Sequence, residues 1–151
     1  MPHDSISTMR KLYFGGSISA GRQDCTLYAR IIAQLEAYGS VLTKYVGDQD
    51  AIEKEKDLAP KVNHDRDIAW LKECDALIVE VTQASLGVGY EIGRAVAMDK
   101  RVLILFRPET GKKCSKMVAG AADGTTVVFK EYCEDQLPAI LAEFFSVTEN
   151  S

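Results

Sequence analysis

Apolar residues along the chain keep two rhythms. Short, largely apolar runs stand at 11–14, 41–43, 76–81, 101–106 and 126–129, and each reads as a strand. The run at 76–81 is broken only by Glu80, as expected for a strand covered on both faces. Between the runs the spacing turns helical. Leu27, Ile31, Ile32 and Leu35 mark a helix over 24–38, which Gly39 stops. His64, Asp67, Ile68 and Leu71 form one stripe of a helix over 62–73, and Val88, Ile92, Ala95 and Val96 do so over 88–98. A short helix is expected at 114–118 and a last one at 136–145, with a turn at Asp123-Gly124 between them. The segment 47–61 is charged, weakly periodic and interrupted by Pro60, and reads as a mobile connection with room for one helical stretch.

Strands alternating with helices predict right-handed βαβ units. The expected fold is α/β: a single-domain, five-stranded parallel sheet of flavodoxin/Rossmann-like order 2-1-3-4-5, with helices on both faces. The domain is expected over 10–147, with flexible ends at 1–9 and 148–151. At 151 residues and 46% hydrophobic content, such a core needs no staples. The net charge of −4 gives no general attraction for a nucleic acid polymer, so any phosphate must be held locally. Cys25, Cys74, Cys114 and Cys133 form no CxxC pair, and His3 and His64 lie at no metal-ligand spacing. Reduced thiols, no metal and a cytoplasmic location are expected, the nucleus staying open to a chain this small. No signal-peptide pattern or membrane-length apolar run appears.

In sheets of this order ligands bind beyond the carboxyl ends of the strands, at the switch point between the first and third. Two Gly- and Ser-rich loops meet there, at 15–21 and 82–89, and both feed helix N-termini suited to an anion. Neither loop is a GxGxxG or a Walker loop, so a phosphate site and plain tight turns are equally open. Glu91 falls on the inward stripe of its helix, in what reads as the first turn, where the helix dipole would favour its ionised form. Asp67 also falls inward. Two carboxylates aimed at one pocket suit glycoside cleavage. They equally admit a structural reading, with Asp67 paired to Arg66 or Arg94 and Glu91 capping its helix. Glu80 is a third carboxylate, open to an ion pair with a nearby Lys or Arg. Tyr13, at the end of the first strand, reaches either the cleft or the core.

The run Ser85-Leu86-Gly87-Val88-Gly89-Tyr90-Glu91-Ile92-Gly93-Arg94-Ala95 resembles the nucleoside 2-deoxyribosyltransferase superfamily, and within it the 2′-deoxynucleoside 5′-monophosphate N-hydrolases. Leu12-Tyr13-Phe14, Gly16-Ser17-Ile18, Trp70-Leu71, Glu80-Val81-Thr82-Gln83, Leu105-Phe106-Arg107-Pro108 and Gly120-Ala121-Ala122-Asp123-Gly124 agree in order and spacing. The resemblance implies that Glu91 is the nucleophile at C1′, Asp67 the acid that assists the leaving base, and Tyr13 a contact to the sugar and nucleophile. It implies that Gly16, Ser17, Ile18, Ser85 and Gly87 form the 5′-phosphate side of the site. It further implies a homodimer in which Ser115 and Met117 are lent to the neighbouring site, and no cofactor. One departure stands out. Where close relatives carry an Arg two residues past the matching Ser, this chain has Ser19, and Arg22 is the nearby candidate to replace it. The segment 47–61 also matches poorly, which leaves base selectivity open. The alternatives to hydrolysis are deoxyribosyl transfer to an acceptor base and a nucleotide-binding module without catalysis.

Overall fold

The computed structural model describes residues 9–18 and 23–148. Ser19 and Arg22 lie outside the described residues, as do the two terminal segments apart from Met9 and Thr148. Strands β1 (Arg10–Gly15), β2 (Gly39–Val41), β3 (Ala76–Glu80), β4 (Arg101–Phe106) and β5 (Val127–Glu131) form one parallel sheet in the order β2-β1-β3-β4-β5. The helices are α1 (Cys25–Leu35), α2 (Ala51–Glu55), α3 (Pro60–Glu73), α4 (Leu86–Ala97), α5 (Lys116–Ala119) and α6 (Leu137–Thr148).

Side chains alternate across each strand, so one strand feeds two cores. Leu12, Phe14, Ile78, Leu103 and Leu105 pack with α1 and α6, through Tyr28, Ile31, Leu141 and Phe145. Tyr13, Leu77, Val79, Val102 and Ile104 pack on the other face, with Ile68 and Leu71 of α3 and Val88, Ile92 and Ala95 of α4. This parity turns Tyr13 toward α3 and α4. It also sends Glu80, in phase with Ile78, to the α1/α6 side.

Several boundaries differ from the expectation, each for a local reason. Helix α1 ends at Leu35, and Gly39 opens β2 instead of capping the helix; a Cβ there would lie 2.5 Å from the Arg10 carbonyl oxygen of β1. The second strand stops at Val41 because Thr43 turns its side chain into the sheet. Its Oγ1 accepts from Phe14 N at 2.8 Å and donates to Phe14 O at 2.7 Å. Pro60 begins α3 at a position where a missing N–H costs nothing. Helix α4 starts at Leu86, two residues earlier than its apolar stripe suggests, because Ser85 caps it by accepting from Val88 N at 3.3 Å. The segment 47–61 holds α2 and the first two residues of α3, joined by turns.

Candidate active site

Glu91 projects from the second turn of α4 against the end of β1. The Tyr13 hydroxyl donates to its Oε2. Gly15 leaves the room this requires: a Cβ there would lie 3.3 Å from Glu91 Oε1 and 2.9 Å from Val79 Cγ1. Asp67 enters from α3. Together Tyr13, Gly16, Ile18, Tyr45, Asp67 and Glu91 line a small cavity of about 40 Å³ beyond the carboxyl end of β1. This is where the strand order places a site, next to the switch between β1 and β3.

Burial is the leading cause that pushes the Glu91 carboxyl up to about 7. The Tyr13 hydrogen bond pulls it down, and the carboxylates of Asp67 and Glu55 push it further up. This corrects the expectation that the helix N-terminus keeps Glu91 ionised. With α4 starting at Leu86, Glu91 lies beyond the first turn, where the dipole fades, and desolvation wins. Burial, with the neighbouring carboxylates, also drives the Tyr13 phenol far above its ordinary value, so it stays a donor. Asp67 is pushed up by burial and held back by Arg66. Of the structural partners open to Asp67 in the sequence, Arg66 is the one found. Its Nε and Nη2 reach Asp67 Oδ1 at 3.0 and 2.9 Å, while Arg94 turns to the Tyr90 hydroxyl at 2.7 Å.

The remaining expected residues separate into groups. Ser85, Ser115 and Met117 share a groove of about 620 Å³ with Leu86, Val88 and Tyr90. That groove has no carboxylate in its lining and no lining residue in common with the Glu91 cavity. Ser115 caps α5, accepting from Val118 N at 3.3 Å. Gly87 lies exposed in the first turn of α4. Ser17 is buried, and its N–H donates to the Tyr28 hydroxyl at 3.1 Å. Glu80 takes the ion-pair reading: Arg107 Nε donates to its Oε2 at 3.0 Å and the Tyr132 hydroxyl at 2.7 Å, while Thr82 N reaches Oε1 at 2.8 Å.

Two neighbours of the carboxylates were not anticipated: Tyr45, in the 3₁₀ turn Lys44–Gly47, and Glu55, at the end of α2. The available signal was weak: an aromatic in a four-residue turn, and a five-residue helix without a long apolar stripe. Among the described residues, no group of three His, Cys, Asp or Glu side chains is placed to hold a metal ion, and no helix is long and apolar enough to cross a membrane.

The family model for nucleoside 2-deoxyribosyltransferase matches residues 12–136. A protein of Nematostella vectensis, provisionally named 2′-deoxynucleoside 5′-phosphate N-hydrolase 1, is 50% identical over 144 residues, spanning 94% of this chain and 98% of the relative. The 5-hydroxymethyl-dUMP N-hydrolase of Danio rerio is 48% identical over 141 residues, 92% of this chain and 99% of its own. Among solved structures, the CMP N-glycosidase BcmB of Clostridium botulinum superposes with a TM-score of 0.64 at 18% identity, covering 89% of this chain and 99% of that one, which speaks to the fold alone.

Proposed function

The chain belongs to the nucleoside 2-deoxyribosyltransferase family, and from that premise we propose that it hydrolyses the N-glycosidic bond of 2′-deoxynucleoside 5′-monophosphates, with Glu91 as nucleophile and Asp67 as acid. It is an enzyme of N-glycosidic bonds, as its named relatives are. The observation that carries the assignment of roles is the pairing of two partly buried carboxylates at one small cavity, with the Tyr13 hydroxyl hydrogen-bonded to Glu91.

The chemistry follows from that pairing. A Glu91 oxygen attacks C1′ as the bond from C1′ to the base nitrogen breaks, and Asp67 gives its proton to the departing base. Water then attacks C1′, returning its proton to Asp67 and freeing Glu91, so that 2-deoxyribose 5-phosphate leaves with retained configuration. The Tyr13 hydroxyl steadies the Glu91 carboxylate before attack and as it is released. The active form carries one proton between the two carboxyl groups, on Asp67. With Glu91 raised to about 7 and Asp67 raised as well, activity is expected to follow a bell-shaped pH profile. Ile18 and Val46 give the cavity an apolar wall. A 2′-hydroxyl placed there would lose its water partners, which favours deoxy substrates.

The 5′-phosphate lies, in this reading, toward the starts of the loops that leave β1 and β3, whose ends are paired at Gly15 and Val79. Ser17, Ser85 and Gly87 are its candidate neighbours, and Ser19 and Arg22 would complete that side. A homodimer fits the second groove. Leu86 is 96% exposed and Met117 86% at its rim, an unusual display of large apolar side chains. A second copy seated there would cover both and bring Ser115 to the neighbouring site. Leu86→Glu is expected to convert a dimer to a monomer in sedimentation velocity; a wild-type monomer would refute the dimer.

Transfer to an acceptor base is the competing reading, favoured by the family's own description. The deciding experiment offers the protein 2′-deoxynucleoside 5′-monophosphates, the matching nucleosides and ribonucleotides, with and without an acceptor base. Free base from the deoxymonophosphates alone, unchanged by acceptor, is expected. A new nucleoside formed on adding acceptor would make it a transferase, and no base released from any substrate would leave a binding module.

A further inference from the structure

The acid of a glycosidase must hold its proton and aim it. Asp67 is half-buried, and what surrounds it is unusual for a surface helix. Arg66, its neighbour on α3, turns back and directs both Nε and Nη2 to a single oxygen, Oδ1, at 3.0 and 2.9 Å. The guanidinium is in turn fixed from three other sides. Glu55 of α2 accepts from Nη2 at 2.5 Å, the Tyr45 hydroxyl accepts from Nη2 at 2.9 Å, and the rings of Tyr45 and Trp70 lie 5.1 and 4.8 Å from the guanidinium carbon. A planar cation held by two rings and three oxygens has little rotational freedom left. Among the described residues, Asp67 Oδ2 takes no hydrogen bond, and Asp67 lines the same cavity as Glu91.

We propose that Arg66 is a positioning residue for the acid: clamped by Glu55, Tyr45 and Trp70, it engages Oδ1 of Asp67 and leaves Oδ2 as the oxygen that carries the proton to the base. This rests on the N-hydrolase reading above. It gives the segment 47–61 a role, because Glu55 supplies one jaw of the clamp. Arg66 also opposes the rise that burial imposes on Asp67, so it sets the pH at which the acid is lost. The charged and titratable groups facing Asp67 are Arg66 and His64 of α3, Glu55 of α2, Tyr45, Tyr13 of β1 and Glu91 of α4. His64 is exposed, with Nδ1 on Asp65 and Nε2 on the Tyr90 hydroxyl, and the comparison is repeated in a His64→Gln background.

The test is the pH profile of base release for wild type, Arg66→Gln, Arg66→Lys and Glu55→Gln, with melting temperatures recorded alongside. Arg66→Gln is expected to lower kcat about tenfold with little change in KM, and to move the alkaline limb up by about one pH unit. Arg66→Lys, lacking the fork and the flat face, is expected not to restore kcat. Glu55→Gln removes a carboxylate and is expected to move both limbs down, opposite to Arg66→Gln on the alkaline side. An unchanged alkaline limb in Arg66→Gln, whether or not its melting temperature falls, would reduce Arg66 to a staple between α2 and α3 and overturn the proposal. Wild-type protein that releases no base would instead overturn the N-hydrolase reading itself.

Discussion

Glu80 and Glu91 are both sunk near the carboxyl end of the sheet, on opposite faces, and are treated in opposite ways. Glu80, at the end of β3, is fully buried and meets Arg107, Tyr132 and two donors of Thr82. Arg107 continues to Asp24 at the start of α1, so this carboxylate ties three elements together. Glu91 has one donor among the described residues, Tyr13, and its other charged neighbours are Asp67 and Glu55, of its own sign. Folding supplies a charge with partners where it serves structure. A carboxylate left short of partners is costly, and its persistence points to work that a fully paired group cannot do.

That contrast can be broken at either end. The largest effect belongs to Glu91→Ala, expected to lower base release by more than about 10⁴-fold while the protein stays folded by circular dichroism. Glu80→Ala reverses the pattern: it strands Tyr132 and leaves Arg107 with Asp24 as its one carboxylate, is expected to cost about 3–5 kcal/mol in urea unfolding, and leaves kcat per folded molecule within a few-fold of wild type. Glu91→Gln sharpens the comparison through stability. Glu91 stands at about 7 in the folded chain against an ordinary 4.5, so its ionisation is a burden that grows as pH rises through that window. The neutral isostere is expected to be more stable than wild type by about 1–3 kcal/mol at pH 8, the gain vanishing below pH 4.5. Tyr13→Phe has the smallest effect, about a tenfold loss of kcat/KM at pH 7, with the acid limb moved upward because the one donor that favours the Glu91 carboxylate is gone.

The sheet and its order were legible because central parallel strands must be apolar on both faces, and β3 and β4 display that in their residues. Asp67 and Glu91 were legible from their place on inward helical stripes. What the linear pattern did not carry was register and surroundings. The parity of β3, Ile78 with one core and Val79 with the other, decides that Glu80 faces Arg107 and not the cavity. The cap on Ser85 moves the start of α4 back, and with it the expected influence of the dipole on Glu91. Tyr45, Glu55 and Arg66 come together only when the weakly periodic segment 47–61 folds over α3, a tertiary event without a local signature.

Double displacement at Glu91 fixes the anomeric configuration of the product, which reads it out directly. Turnover of a 2′-deoxynucleoside 5′-monophosphate in aqueous methanol, followed by proton NMR, reports the methyl 2-deoxyriboside 5-phosphate that forms when methanol replaces water in the second step. Retention of the β configuration is the result this site predicts. The inverted α-glycoside would contradict it, and would make Glu91 the base for a direct attack at C1′.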